Sequence, residues 1–342
     1  MTELILAIDG GQSGTTAVLA TPEGMIVGVG HGGPIRHHEE SGAEGFVRRA
    51  LSAAVTQVMS QTANDDSVVM CFLSTTGSAS IADRVIRELV PAENYFVLES
   101  DTLAALASGT EGAGGIGLIA GTGTVALALG RRGGPVLVGG WGWLLGDEGG
   151  GFWIAMEALK AAARDVDGTG PATNLTAELS TVLGQKDMRE VYNLVTGDRF
   201  DRTAIAALAV TVASVAGSGD LVATSILDLA ATRLAELVVA TIAAAPFLEA
   251  DEQIVVACGG VLRANGQVMS GLARLLAERA PDFRLIVPTV PPVIGAYYLA
   301  LKERGLQIDD ELRDRITNQV RTLSNLTTKM TFNEPKQPTQ LS

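Results

Sequence analysis

Cysteine is nearly absent. The 342 residues hold two, Cys71 and Cys258, far apart and each inside an apolar run. A disulfide framework or a cysteine metal site is therefore not expected, and both read as buried reduced thiols of a cytoplasmic protein. Basic residues are outnumbered, 25 Lys and Arg against 38 Asp and Glu, for a net charge of −13. Nucleic acid and anionic membrane surfaces call for a basic footprint, so neither is expected as a partner. Long uncharged apolar runs are also missing. Ala204–Ala216 is too short to span a bilayer, and Leu221–Ala245 is interrupted by Asp228, Arg233 and Glu236, so both read as buried or half-buried helices. Thr2 and Glu3 precede a short strand-like run broken by Asp9, which is not a secretory pattern. Only three histidines occur, and His31, His37 and His38 share one loop, His31–Glu40. Their spacing matches no common zinc pattern, so the loop reads as a polar lining of a cleft.

What the chain does have is glycine between apolar runs. Its 47% hydrophobic content supplies large cores, and its length suggests two domains. Ile5–Ile8 ends in Asp9, turns through Gly10-Gly11-Gln12-Ser13-Gly14-Thr15-Thr16 and resumes as Ala17-Val18-Leu19. Runs without helical period on both sides mark strands around the turn. Glycine lets backbone approach a ligand, and bared N–H groups with Ser and Thr hydroxyls suit phosphate oxygens. No Lys follows these glycines, which excludes a Walker A loop. Asp9, at the strand end, offers an oxygen to Mg²⁺.

Further strands are expected at Met25–Gly30, Ser67–Leu73 and Tyr95–Leu98, with helices at Ala43 to about Thr62, from Ser78 or Ser80 to about Val90, and at Thr102–Ala107. This is an α/β rhythm, and ligands gather at the carboxyl ends of such strands, where Asp9 and Asp101 fall. After a boundary at Gly112–Gly115, strand Ile116–Ala120, turn Gly121-Thr122-Gly123-Thr124 and strand Val125–Leu129 repeat the opening design. Two similar domains would thus offer facing phosphate turns to one cleft.

All three tryptophans fall in Gly139–Trp153, beside paired acids and many glycines. Trp141, Gly142, Asp147 and Glu148 suit a polyol, whose C–H faces stack on rings and whose hydroxyls bond acids. From Ala172 to Ala245 the chain reads as helical, with breaks at Gly184, Thr196–Asp198 and Gly217–Asp220. Strand Gln253–Ala257 then runs into Cys258-Gly259-Gly260-Val261, a junction open to a nucleobase or ribose, before a helix from about Asn265 to Glu278. Phe283–Val287 reads as a strand, Pro291-Pro292 opens a helix, and a last helix from about Asp309 ends near Leu323, leaving Ser324–Ser342 as a mobile tail.

The Asp9–Thr16 turn, Gly121–Thr124 and Cys258–Val261 resemble the phosphate and adenosine motifs of actin-like ATPases. Gly140-Trp141-Gly142-Trp143-Leu144-Leu145-Gly146-Asp147-Glu148-Gly149, with Trp153, is similar to the signature of N-acetylglucosamine kinases and the related BadF/BadG/BcrA/BcrD ATPases, and the likeness extends from about residue 4 to 304. The resemblance implies an α/β fold of two ribonuclease-H-like domains flanking a nucleotide and sugar cleft: 1–112 plus 291–323, and 113–290. It implies ATP and Mg²⁺ as cofactors, with Asp9 holding the metal through water. Gly11, Ser13 and Thr15 would lie along the phosphates, opposite Thr122 and Gly123, while Gly259 and Gly260 flank adenosine. Asp101 would be the general base and Asp147 a sugar ligand, and His37 is expected at the acceptor. The chain departs from the pattern at Arg36-His37-His38, where kinases carry an Asn-His-Trp-like run, and at Val125, near an Asn of the animal enzymes. Three activities stay open: a kinase of an amino sugar (N-acetylglucosamine or glucosamine type), expected as a homodimer; a BadF-type ATPase that activates a partner enzyme; and a silent sugar sensor.

Overall fold

The computed structural model describes residues 2–35, 43–63, 66–197 and 202–331. His37, His38 and the rest of 36–42 lie outside these residues, as do Asp198 and 332–342. Among the described residues, ten strands form two sheets of five. The first contains β1 (Glu3–Gly10), β2 (Thr15–Ala20), β3 (Ile26–Gly32), β4 (Ser67–Thr75) and β5 (Ala92–Leu98), in the order β3-β2-β1-β4-β5. The second contains β6 (Gly115–Ala120), β7 (Thr124–Leu129), β8 (Val136–Gly139), β9 (Ile254–Cys258) and β10 (Arg284–Ile286), in the order β10-β9-β6-β7-β8. Read from the opposite edge, the second order repeats the first. In each, the second strand pairs antiparallel with both the lead strand and the third strand, and the other four strands run parallel to one another. This is the ribonuclease-H-like topology expected twice over.

The unbroken apolar run of β1 has a direct cause: the strand is covered on both faces. Leu4, Leu6 and Ile8 point one way, into α1 (Ala43–Met59) and α2 (Ala79–Leu89), where Leu51, Val55, Val85 and Ile86 meet them. Ile5 and Ala7 point the other way, toward a core shared by Ala104 of α3 (Asp101–Thr110) and a later helix. The next residues of α3, Ala105 and Leu106, pack instead with Leu127, Val256 and Cys258 of the second sheet. The helix that begins at Asp101 thus bridges both sheets.

The far face of the second sheet carries the helical half of the chain. There α4 (Gly142–Leu145), α5 (Gly151–Val166), α6 (Leu175–Val182), α7 (Met188–Thr196), α8 (Arg202–Ala207), α9 (Ala209–Gly217) and α10 (Leu221–Ala244) follow one another. Then α11 (Gly260–Ala264) and α12 (Gly266–Arg279) complete that core with Ile116, Leu118, Ala126 and Val255 of the strands. Finally α13 (Pro292–Glu303) returns to the first sheet through Ile294, Tyr297 and Leu301, and α14 (Asp310–Thr331) adds Leu312 and Ile316. Gly295 permits the close crossing of α13 on α3, because a Cβ there would overlap the Ala104 carbonyl. Among the described residues no helix is long and apolar enough to cross a membrane.

Four boundaries correct the sequence reading. β8 was not expected, because four residues between glycine-rich turns give too short a pattern. β10 is three residues rather than Phe283–Val287, since only Arg284–Ile286 pair with β9. A short helix, α11, occupies the stretch before Asn265. The last helix runs on to Thr331 rather than ending near Leu323. The polar residues there lack the apolar spacing by which a helix is recognised.

Candidate active site

The two glycine turns face each other at the strand ends. In the first, Gly11 N–H donates to the Gly14 carbonyl at 2.9 Å, and Gly11 O accepts from Ile35 N–H at 3.0 Å. Gly10 is buried against Ile35, whose Cδ1 would lie 2.6 Å from an added Cβ, and its carbonyl accepts from Thr76 N–H. Thr16 pairs across the hairpin with Asp9. Thr15 turns its hydroxyl to the Gly33 carbonyl at 2.9 Å, so it braces the turn. In the second turn, Gly121 N–H donates to Gly123 O. Ser13 Oγ of the first lies 3.4 Å from Thr122 Oγ1 of the second, which joins the two halves of the expected clamp.

Below this clamp stand the carboxylates. Asp9 is the penultimate residue of β1, beside Ser74 of β4, and Asp101 opens α3 with two residues between it and β5. Burial, and then the charge of Asp101, push the Asp9 carboxyl up to about 8. Burial also raises Asp101, to about 6, opposed by hydrogen bonds from Thr102 and local backbone; Thr102 Oγ1 lies 3.3 Å from its Oδ1. Both remain partly open to solvent, and the positive end of α3 favours charge on Asp101. Among the described residues no third His, Cys, Asp or Glu joins them as a metal cluster. Two hydroxyls that the sequence did not single out lie near: Thr76 Oγ1 and Ser100 Oγ are buried without hydrogen-bond partners among the described residues. Ser74 holds the strand ends together by donating to the Ser100 carbonyl. The signal for this pair was the run of Ser and Thr at two adjacent strand ends.

The tryptophan segment divides in two. Its inner part is laced to the second turn: Asp147 Oδ1 accepts Thr124 N–H at 3.0 Å, Glu148 O accepts Thr124 Oγ1 at 3.2 Å, and Gly151 and Phe152 N–H groups donate to Gly121 and Thr122 carbonyls. Asp147 adopts a left-handed φ of 58°, and its carboxylate fills the space where a Gly123 side chain would stand. Its tie to the phosphate turn depends on a contact remote in sequence. Glu148 also faces Arg233, 3.6 Å away. The outer part is open: Trp141, beside Gly142 at the start of α4, is 73% exposed, and Trp143 is edge-on to Phe152 with ring centroids 5.7 Å apart.

A cavity of about 310 Å³ begins at Ser13, Gly121 and Thr122 and extends between Ala206 and Val210 on one side and Gly260 and Asn265 on the other. Gly259, with φ of 106°, packs on the Ala120 carbonyl, whereas Gly260 faces open space. The alanine-rich wall from α8 and α9 was missed, because small apolar residues on a helix read as core. A larger groove of about 690 Å³ lies among α5, α6 and α7 and contains none of the expected site residues, so size does not identify the site. His31 is exposed at the end of β3, its N–H bound to Gln57 Oε1; the expected contact of His37 lies outside the described residues.

Comparison with known proteins agrees with this geometry. The chain is 26% identical over 305 residues to the N-acetylmuramic acid/N-acetylglucosamine kinase of Clostridium acetobutylicum, covering 87% of this chain and 98% of the relative. It is 26% identical over 319 residues to the N-acetyl-D-glucosamine kinase of Dictyostelium discoideum, covering 88% and 99%. Its fold matches a crystal structure from Chromobacterium violaceum, provisionally named N-acetylglucosamine kinase, with a TM-score of 0.66, 24% identity and coverage of 87% and 98%. It also matches a ROK family glucokinase from Streptomyces griseus in complex with glucose and AMPPNP, at 0.53 and 19%, covering 86% and 98%. The profile of the BadF/BadG/BcrA/BcrD ATPase family matches residues 6–300, and the chain belongs to that family.

Proposed function

We propose that the protein transfers the γ-phosphate of ATP to a hydroxyl of an amino sugar of the N-acetylglucosamine or glucosamine type. The observation that carries this reading is the pair Asp9 and Asp101 at the strand ends, beneath two glycine turns that meet at Ser13 and Thr122. The names of the two curated relatives support the sugar class. Residues 1–112 with 291–323, and residues 113–290, form the two halves of the cleft.

Phosphoryl transfer asks mainly for alignment and charge neutralisation. The Ser13 and Thr122 hydroxyls, with the Gly123 backbone N–H, hold the phosphates from both sides, while Gly11 N–H braces its own turn on Gly14. Asp101 accepts the proton of the attacking hydroxyl, and its raised value near 6 keeps it a competent base at neutral pH. Two carboxylates that repel each other in a partly buried site form a hard-oxygen pair in want of a cation. That set fits Mg²⁺, which takes one or two carboxylates and keeps several waters. Asp9 would hold it, and when bound it would neutralise charge on the phosphates. The activating-ATPase reading is less well supported: Cys71 and Cys258 are single buried thiols, raised to about 12 and about 11 mainly by burial, and they lack the spacing of a cluster-binding pair.

The test is ADP release from ATP and Mg²⁺ across a panel of sugars. Release that depends on an amino sugar supports the kinase; release without any acceptor would replace it with the ATPase.

A further inference from the structure

Asn265 lines the inner end of the cavity described above and is 6% exposed. It stands at the junction of α11 and α12, where its Oδ1 accepts N–H groups of Gln267 and Val268 at 3.1 and 3.2 Å. Its backbone is equally engaged, N–H to Val261 O and carbonyl to Met269 N–H. An amide whose oxygen caps a helix must turn its NH₂ the opposite way. Among the described residues that NH₂ makes no hydrogen bond, although the side chain is nearly enclosed. The lining around it is mainly apolar, with Ala206, Val210, Ala213 and Val261, and Thr203 is the one hydroxyl residue of the α8 wall.

The chemistry of such a pocket is specific. Alanine, valine and glycine surfaces accept a flat ring but cannot tell one base from another. A single fixed donor can, because it matches a ring acceptor and leaves a donor edge unpaired. The phosphate turns at Ser13 and Thr122 mark the other end of the same cavity, so a nucleotide seated on them puts its base toward Asn265.

We infer that Asn265 is a base-reading residue, whose NH₂ donates to a ring nitrogen of adenine while its oxygen stays on α12. This rests on the reading of the cavity as the seat of ATP. It makes nucleotide selectivity depend on a residue that also caps a helix, so the donor is held in one orientation.

The experiment measures binding by calorimetry on the full chain with Mg²⁺ and no sugar, using AMPPNP and inorganic tripolyphosphate, which has no base. Asn265→Asp keeps the capping oxygen and replaces the donor with an acceptor; Asn265→Ser keeps a neutral cap and withdraws the donor. Both variants should weaken AMPPNP by about tenfold or more and leave tripolyphosphate within about twofold. Wild-type protein should also bind one of the 1-, 3- and 7-deaza analogues of ATP about tenfold more weakly than ATP, and Asn265→Ser should abolish that difference. Equal weakening of AMPPNP and tripolyphosphate, or unchanged AMPPNP affinity, would overturn the inference. Failure of the wild type to bind AMPPNP at all would remove the ATP reading and the inference with it.

Discussion

Replacing Gly259 or Gly260 by alanine should separate folding from nucleotide binding at neighbouring positions. Gly259 has φ of 106°, a conformation that costs an L-residue about 1–3 kcal/mol. Its new Cβ would also fall on the Ala120 carbonyl, under the 3.0 Å that Cβ atoms essentially never breach. Ala120 is backbone of β6, the strand paired with β9, so the obstacle cannot swing aside as a side chain would. Overpacking of that kind adds about 1–3 kcal/mol, for a total of roughly 2–6 kcal/mol. At about 2–4 °C per kcal/mol, the melting temperature should fall by about 10 °C. Gly260 is the first residue of α11, and nothing lies within 4 Å of where its Cβ would be. Alanine there should leave the melting temperature unchanged or raise it slightly, by about 0.4–1 kcal/mol of unfolded-state entropy. The methyl group would instead enter the cavity and weaken AMPPNP binding. Differential scanning calorimetry and titration of both variants provide the assay. Equal thermal losses in the two variants, or wild-type AMPPNP affinity in Gly260→Ala, would refute the reasoning.

Three further outcomes can be checked, two drawn from the structure and one from the sequence. Asp101 and Asp9 are raised on folding to about 6 and about 8 from 3.8, and such groups stabilise below the unfolded value and lose that contribution as pH rises through the folded one. Metal-free protein in EDTA should therefore melt at lower temperature as pH rises from about 5 to about 8, and Asp9→Asn should flatten that slope; parallel slopes would contradict it. Asp147→Ala removes the acceptor of Thr124 N–H and should raise KM for ATP about tenfold, whereas Asp147→Asn keeps an acceptor and should stay near wild type in steady-state kinetics. Changing His37 and His38 together to Ala should alter KM for the sugar more than KM for ATP; equal effects would take them out of the acceptor site.

Much of the site was legible because its signals are local. Apolar runs that stop at Asp9 and at the residues before Asp101 carry the strand and its chemical end in one stretch, and glycine turns after strands are hard to mistake. The inner wall was not legible, for physical reasons. The bond of Asp147 to Thr124 N–H joins residues 23 apart, a contact that no local pattern announces. Asn265 read as the start of a helix, which it caps; only the fold shows that its other end lies at a cavity. Ala206 and Val210 have the composition of a core helix, and nothing local distinguishes a wall facing ligand from one facing protein.

The claim that Asp101 is the base of a sugar kinase has a direct test. Wild-type protein and Asp101→Asn are incubated with ATP, Mg²⁺ and N-acetylglucosamine or glucosamine, phosphorylated sugar is measured by mass spectrometry, and AMPPNP binding is measured in parallel. The account predicts that the variant loses phosphorylation by about 10²–10⁴-fold while AMPPNP affinity stays within about twofold. Wild-type turnover in Asp101→Asn would contradict it.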